Sequence, residues 1–339
     1  MDLETLAALI LWTFLFGYVL FGAVDFGTGF FSAWSAVRDR NPRLHDAAQR
    51  LMAPLWEVTN VFLVFFVVGI VGFFPLTAYY YGAALLVPLG AGLVLLGLRG
   101  AYYAFHTYSP EKRPVFTYVY GLTGLAIPAA LAAVLTVSEG GFIATDGFPT
   151  LDLAAFLGSA YTWAMFAVGL LGTVVLAAAF LSWYLERSEE RDLAEKMRHT
   201  AIAVFPYAFL ADLFALALMV RESPMRPLLV ERGAAGYVVS AVLAVAAYAL
   251  LRTRRPAWAF LAAAGQYAAA FYAYGVVHYP YLLYPYLTVY DGFTPLPMAH
   301  ALLVGFVLGL FVLVPALVLL LRTFLFPPSP GISRRGEVS

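Results

Sequence analysis

Nine stretches of about 20 mostly apolar residues decide what this chain can fold into. They cover approximately residues 6–35, 52–74, 80–105, 115–137, 154–185, 200–221, 234–251, 257–278 and 299–325. A helix of about 20 residues crosses the ~30 Å hydrocarbon core of a bilayer, where the backbone has to satisfy its own hydrogen bonds. Charged residues make up only 12% of the chain and hydrophobic ones 63%, whereas about 25% charge is usual in a soluble domain. The expected fold class is therefore all-α: a polytopic membrane protein with about nine transmembrane helices. It forms one transmembrane domain over 1–325, with a tail at 326–339. Cysteine is absent, which excludes disulfides, iron–sulfur clusters and thiolate metal sites. Acidic and basic residues balance at 20 each, so nothing points to nucleic acid.

The connections are unevenly charged. Arg38, Arg40, Arg43 and Arg50 follow the first run, and Lys112 and Arg113 follow the third. Arg187, Arg191, Lys196 and Arg198 follow the fifth, Arg252, Arg254 and Arg255 the seventh, and Arg322, Arg334 and Arg335 end the chain. The opposite side holds only Arg221, Arg226 and Arg232, all in the sixth-to-seventh connection. The positive-inside rule then puts the N-terminus outside and the C-terminus in the cytoplasm.

Ionisable residues inside the runs are the candidate functional groups, because a charge in hydrocarbon costs roughly 2.5–3.5 kcal/mol on insertion scales. Asp25 sits mid-run, with Gly22 and Gly29 on its face of the helix, where they admit a neighbouring helix closely. Glu57 follows Arg50 by seven residues and Arg99 precedes His106 by seven. Helical rise puts all three acids and bases roughly 10–14 Å below the cytoplasmic interface. Helices joined by short loops are usually neighbours, so the three residues are expected to meet. Asn60 lies one turn from Glu57, and Tyr102 follows Arg99 by three residues. Two readings follow: an ion-paired knot that locks three helices, or a proton-conducting site. Asp212 is a lone acid in the sixth run, where bonding to hydroxyls is the commoner role. Asp291 lies in a loop of alternating tyrosines and prolines, 279–290, which reads as an interfacial aromatic belt.

None of the five histidines, His45, His106, His199, His278 and His300, lies well inside a run. An axial haem ligand is expected within the helices, so no haem is expected on this chain. His-Glu-x-x-His, phosphate-cradling glycine loops and Gly-x-Ser-x-Gly are also absent.

Gly17–Gly29, ending Val-Asp-Phe-Gly-Thr-Gly, is followed by Met52-Ala-Pro-Leu-Trp-Glu-Val-Thr-Asn-Val-Phe62 and Leu98-Arg-Gly-Ala-Tyr-Tyr-Ala-Phe-His106. In order and spacing these resemble subunit II of the cytochrome bd quinol oxidases, where Gly-Phe-Asp-x-Gly-x-Gly, Pro-x-Trp-Asp and Phe-Arg-Gly occupy the first three helices. Leu287-Thr-Val-Tyr-Asp291 is similar to the family's Leu-Thr-x-Trp-Asp before the last helix. The resemblance implies a nine-helix, haem-free companion of a subunit I that carries haems b and d, with quinol as substrate of the complex. It implies a bacterial or archaeal cell membrane, and leaves room for a small single-helix subunit besides membrane lipid. Carried over by position, it makes Asp25, Trp56, Glu57 and Arg99 candidates for a cytoplasmic proton route. The chain departs from the family at Phe21 and Gly22, at Thr59, Asn60 and Phe62, and at Ala104 and His106, as a divergent member does. A proton-coupled transporter and a purely structural subunit are the competing classes. Matching inverted repeats, which a transporter would favour, are not found.

Overall fold

The computed structural model describes residues 2–39, 41–108, 114–144 and 148–325. The expected tail 326–339, together with Arg40, Lys112 and Arg113, lies outside the described residues. Helix α1 (Leu3–Trp34) starts where the Asp2 carboxylate accepts the Thr5 N–H at 3.0 Å, and it closes in a wide turn, Ser35–Asp39. Helix α2 (Pro42–Phe73) starts at Asn41, with proline in its first turn. It begins ten residues earlier than the hydropathy suggests, because Leu44, Ala47, Ala48 and Leu51 fall on one face and are buried.

Two runs expected to be single helices are broken. The third divides into α3 (Pro75–Ala84) and α4 (Leu86–Tyr108), bent by 84°. Pro88 lacks the N–H that would bond Ala84, and its ring collides with the carbonyl there. The fifth divides into α6 (Leu153–Gly158) and α7 (Ala160–Arg187), because Ser159 turns extended and caps Thr162. Helix α5 (Pro114–Val134) tightens into a 3₁₀ turn, Leu135–Glu139, that ends at Gly140. Gly140 has φ +81°, and a side chain there would collide with the Tyr284 carbonyl. Helices α8 (Arg191–Glu222), α9 (Arg226–Leu228), α10 (Ala234–Arg252), α11 (Pro256–His278) and α12 (Leu296–Leu325) complete the chain. Among the described residues eight helices are long and apolar enough to cross a membrane, and the bent pair α3–α4 would make nine.

Helices α1, α5 and α7 pack on one another at the centre, with the hairpins α1–α2, α7–α8 and α10–α11 around them. Small residues make this close packing feasible: Gly27 faces Ala177 and Thr173, and Ala178, Ala201, Ala247 and Ala263 are buried. Helix α12 docks on α2 and leaves most of its surface open. Arg43, at the start of α2, bonds Asp192 at 2.9 Å and also Glu190, in the α7–α8 connection. At the other end the Tyr290 hydroxyl donates to Asp2 at 3.0 Å, and the Tyr284 N–H to the Ser138 carbonyl at 2.9 Å. The bundle thus has an arginine-rich end and a tyrosine-rich end. The latter carries two short antiparallel ribbons, β1 (Ile143–Ala144) with β2 (Thr150–Leu151) and β3 (Tyr281–Leu283) with β4 (Leu287–Thr288).

Candidate functional site

Asp25 and Arg99 meet in the middle of the bundle. Arg99 Nη2 donates to Asp25 Oδ1 at 3.2 Å and to the Asp25 carbonyl at 3.1 Å, and Nη1 donates to the Tyr120 carbonyl at 3.3 Å. Both side chains are 0% exposed. The guanidinium carbon lies 3.9 Å from the Tyr120 ring centroid and 4.8 Å from that of Phe26, as a desolvated cation over aromatic faces should. Two glycines make the niche. A Cβ on Gly29 would sit 2.9 Å from both terminal guanidinium nitrogens, and one on Gly124 would sit 3.1 Å from Nη1. The glycine expectation therefore holds at Gly29, whereas a Cβ on Gly22 would sit 3.3 Å from Phe26 of its own helix and 3.6 Å, an ordinary contact, from Thr59 of α2. Asp25 Oδ2 and Arg99 Nε have no hydrogen-bond partner among the described residues.

Polar groups continue from this pair toward the arginine-rich end. Asp25, Thr28 and Ser32 on α1 and Ser35 in the turn that closes it recur at helical spacing and are all buried. The Ser32 hydroxyl lies 3.0 Å from His45 Nδ1 and 3.4 Å from Gln49 Nε2, both on α2. The Tyr102 hydroxyl bonds the side chains of Thr117 and Gln49, and its ring lies 4.4 Å from that of Tyr120, tilted by 32°, beside Arg99. Sequence reasoning singled out Tyr102 but missed Ser32, Gln49 and this role for His45. The available signal was a hydroxyl every three or four residues in an otherwise apolar helix.

Glu57 does not join the pair, contrary to the three-way meeting that depth suggests. It is exposed on α2 and has no ion pair or hydrogen bond among the described residues. Depth fixes a position along a helix axis but not around it. Neighbouring Trp56 turns inward, with its ring 3.7 Å from where a Cβ on Gly100 would lie, and Asn60 bonds the Trp56 carbonyl at 2.9 Å. Asp212 is not alone: Gln266 of α11 donates to it at 2.8 Å, so an amide takes the place expected of hydroxyls. Asp291 caps the β4 turn, accepting from the Thr288 N–H at 2.7 Å and its hydroxyl at 2.6 Å. These two bonds hold its carboxyl below the usual carboxylate range.

Glu139 was not singled out in the sequence, where it falls just beyond an apolar run. It is buried at the tyrosine-rich end and bonded entirely by neutral groups. Tyr161 donates to Oε1 at 2.8 Å, and the Tyr274 hydroxyl lies 3.3 Å from the same oxygen. Ser138 joins Tyr274, at 2.9 Å, to His278 Nε2, at 3.2 Å. The other His278 ring nitrogen faces the Tyr274 carbonyl at 3.2 Å. Among the described residues no three His, Asp or Glu side chains cluster as metal ligands.

The class these features define is an all-helical, multi-pass cell-membrane protein with a buried ion pair at its centre. Within that class the chain belongs to the cytochrome bd terminal oxidase subunit II family, whose family model matches residues 3–324. It is 30% identical over 344 residues to a Bacillus subtilis (strain 168) protein described as a putative cytochrome bd menaquinol oxidase subunit II, covering 94% of this chain and 95% of that one. It superposes with a TM-score of 0.84 on a chain in the structure of bd oxidase from Geobacillus thermodenitrificans, at 45% identity, covering 96% of this chain and 100% of that chain. The chain is therefore a subunit of a bd-type quinol oxidase, a respiratory oxidoreductase complex.

Proposed function

We propose that this chain is the haem-free half of the oxidase, seated against a subunit I that holds haems b and d, and that it conducts protons from the cytoplasm. On this reading the N-terminus is outside, and the arginine-rich end and the tail 326–339 are cytoplasmic. Electrons come from a membrane quinol and pass through the partner. Membrane lipid, and where present a small single-helix subunit, cover the apolar faces that subunit I leaves.

One observation carries the proton reading: the Asp25–Arg99 pair stands at the inner end of a buried polar stripe. The imidazole of His45 and the hydroxyls of Ser32 and Tyr102 each donate and accept hydrogen bonds, as a relay requires. Asp25 Oδ2, unclaimed by Arg99, is the oxygen that takes the proton, while the guanidinium holds Oδ1 and fixes the carboxyl in place. Glu57, beside Trp56 and Asn60 on the open face of α2, is the outward group through which the route meets subunit I. Asp212 and Asp291, bonded to Gln266 and Thr288, serve structure instead.

The test is Asp25→Asn in the purified complex. The expected outcome is oxygen consumption with quinol reduced about a hundredfold or more, the scale of a lost acid–base group, with an unchanged haem difference spectrum. Turnover within a factor of about two of wild type would instead make the ion pair a structural lock.

A further inference from the structure

The three arginines that depart from the charge asymmetry, Arg221, Arg226 and Arg232, have no place in the proton reading. Arg232 lies at the tyrosine-rich end, in the wide turn Leu229–Gly233 that leads into α10. Its Nη1 donates to the Tyr279 carbonyl at 3.0 Å, and the rest of the guanidinium is exposed, with no other partner among the described residues. Below it an open groove of about 370 Å³ runs between α10 and α11, lined by Ala235, Gly236 and Val239 on one side and by Ala269, Tyr272 and Val276 on the other. Gly236 lets the two helices approach closely: a Cβ there would lie 2.6 Å from that of Ala273. The groove stays open because Ala235 and Ala269 end at Cβ.

We infer that this groove is a binding site for one anionic phospholipid, with its phosphate on Arg232 and an acyl chain lying between α10 and α11. The chemistry of the lining selects the ligand. The groove is apolar along its length and cationic at one end, so its occupant needs an alkyl chain joined to a negative head. A guanidinium anchored through one nitrogen keeps other N–H donors free, and their planar fork matches a phosphate. The space, about 370 Å³, has the scale of one alkyl chain. The site does not depend on the proton route.

The experiment is native mass spectrometry of the whole oxidase, released from nanodiscs that contain dioleoyl phosphatidylglycerol and dioleoyl phosphatidylcholine in equal amounts. The haem spectrum reports assembly of each variant. Wild type should retain phosphatidylglycerol in preference to phosphatidylcholine. Retention should fall about tenfold in Arg232→Gln, the scale of one lost charge-assisted hydrogen bond. Ala235→Phe, which fills the groove and leaves the charge alone, should lower retention equally. Equal retention of the two lipids, undiminished phosphatidylglycerol in both variants, or a quinone mass in its place would each overturn the site.

Discussion

At the scale of single residues, Glu139 shows how a carboxyl is kept in the interior without a cation. Two tyrosine hydroxyls converge on one of its oxygens; replacing it strands that of Tyr161, whereas that of Tyr274 keeps the Leu135 carbonyl at 2.8 Å and Ser138 at 2.9 Å. Glu139→Leu is expected to destabilise the protein by about 1–3 kcal/mol for the Tyr161 hydroxyl left unsatisfied, whereas Glu139→Gln keeps an acceptor and should cost less than half as much. Thermal unfolding of the complex, followed by tryptophan fluorescence, checks the order. Glu139 was illegible in the sequence because hydropathy places it in a connection, and burial there comes from the β3 loop folding back over Ser138. Asp25 and Arg99 were legible because a charge inside an apolar run has few places to go. Their pairing across α1 and α4 followed from shared depth. That Glu57 turns away did not follow, since only the packing of α2 fixes its azimuth.

At the scale of elements, the breaks in the third and fifth runs were hidden by hydropathy but written in local chemistry, in Pro88 and in Gly158-Ser159. The β3–β4 loop is a second case of local chemistry, and its pH response has a definite sign. Thr288 bonds the ionised Asp291 and lowers its pKa, so the stabilisation is complete above the ordinary value of 3.8 and is lost as pH falls through the depressed one. Amide exchange at Thr288 and Tyr290, corrected for its intrinsic pH dependence, should therefore accelerate as pH drops below 3.8. Asp291→Ala should exchange fast at every pH. Tyr290, whose hydroxyl bonds Tyr279 and the carboxylate of Asp2, is pushed up to about 12 and stays protonated throughout.

At the scale of the whole molecule, the open face of α2 sets a carboxylate among Val64, Val67, Val68 and Val71. Left against lipid, such a group costs roughly 2.5–3.5 kcal/mol. Opposite signs are then expected in two settings. Expressed without subunit I, Glu57→Leu should raise the yield of the folded chain. In the complete oxidase the same change should lower turnover. Fluorescence-detected size exclusion for the first and oxygen consumption for the second decide it.

The central ion pair also orders the making of the protein. Asp25 and Arg99 are 74 residues apart, so on the ribosome the acid enters the bilayer well before its partner has been synthesised. During that interval α1 carries an uncompensated carboxyl, held in the membrane by the apolar residues around it. Arrival of α4 brings the counter-charge. The niche built by Gly29 and Gly124 is completed later still, when α5 follows α4, so the first helix reaches its final packing only after both of those helices have been made.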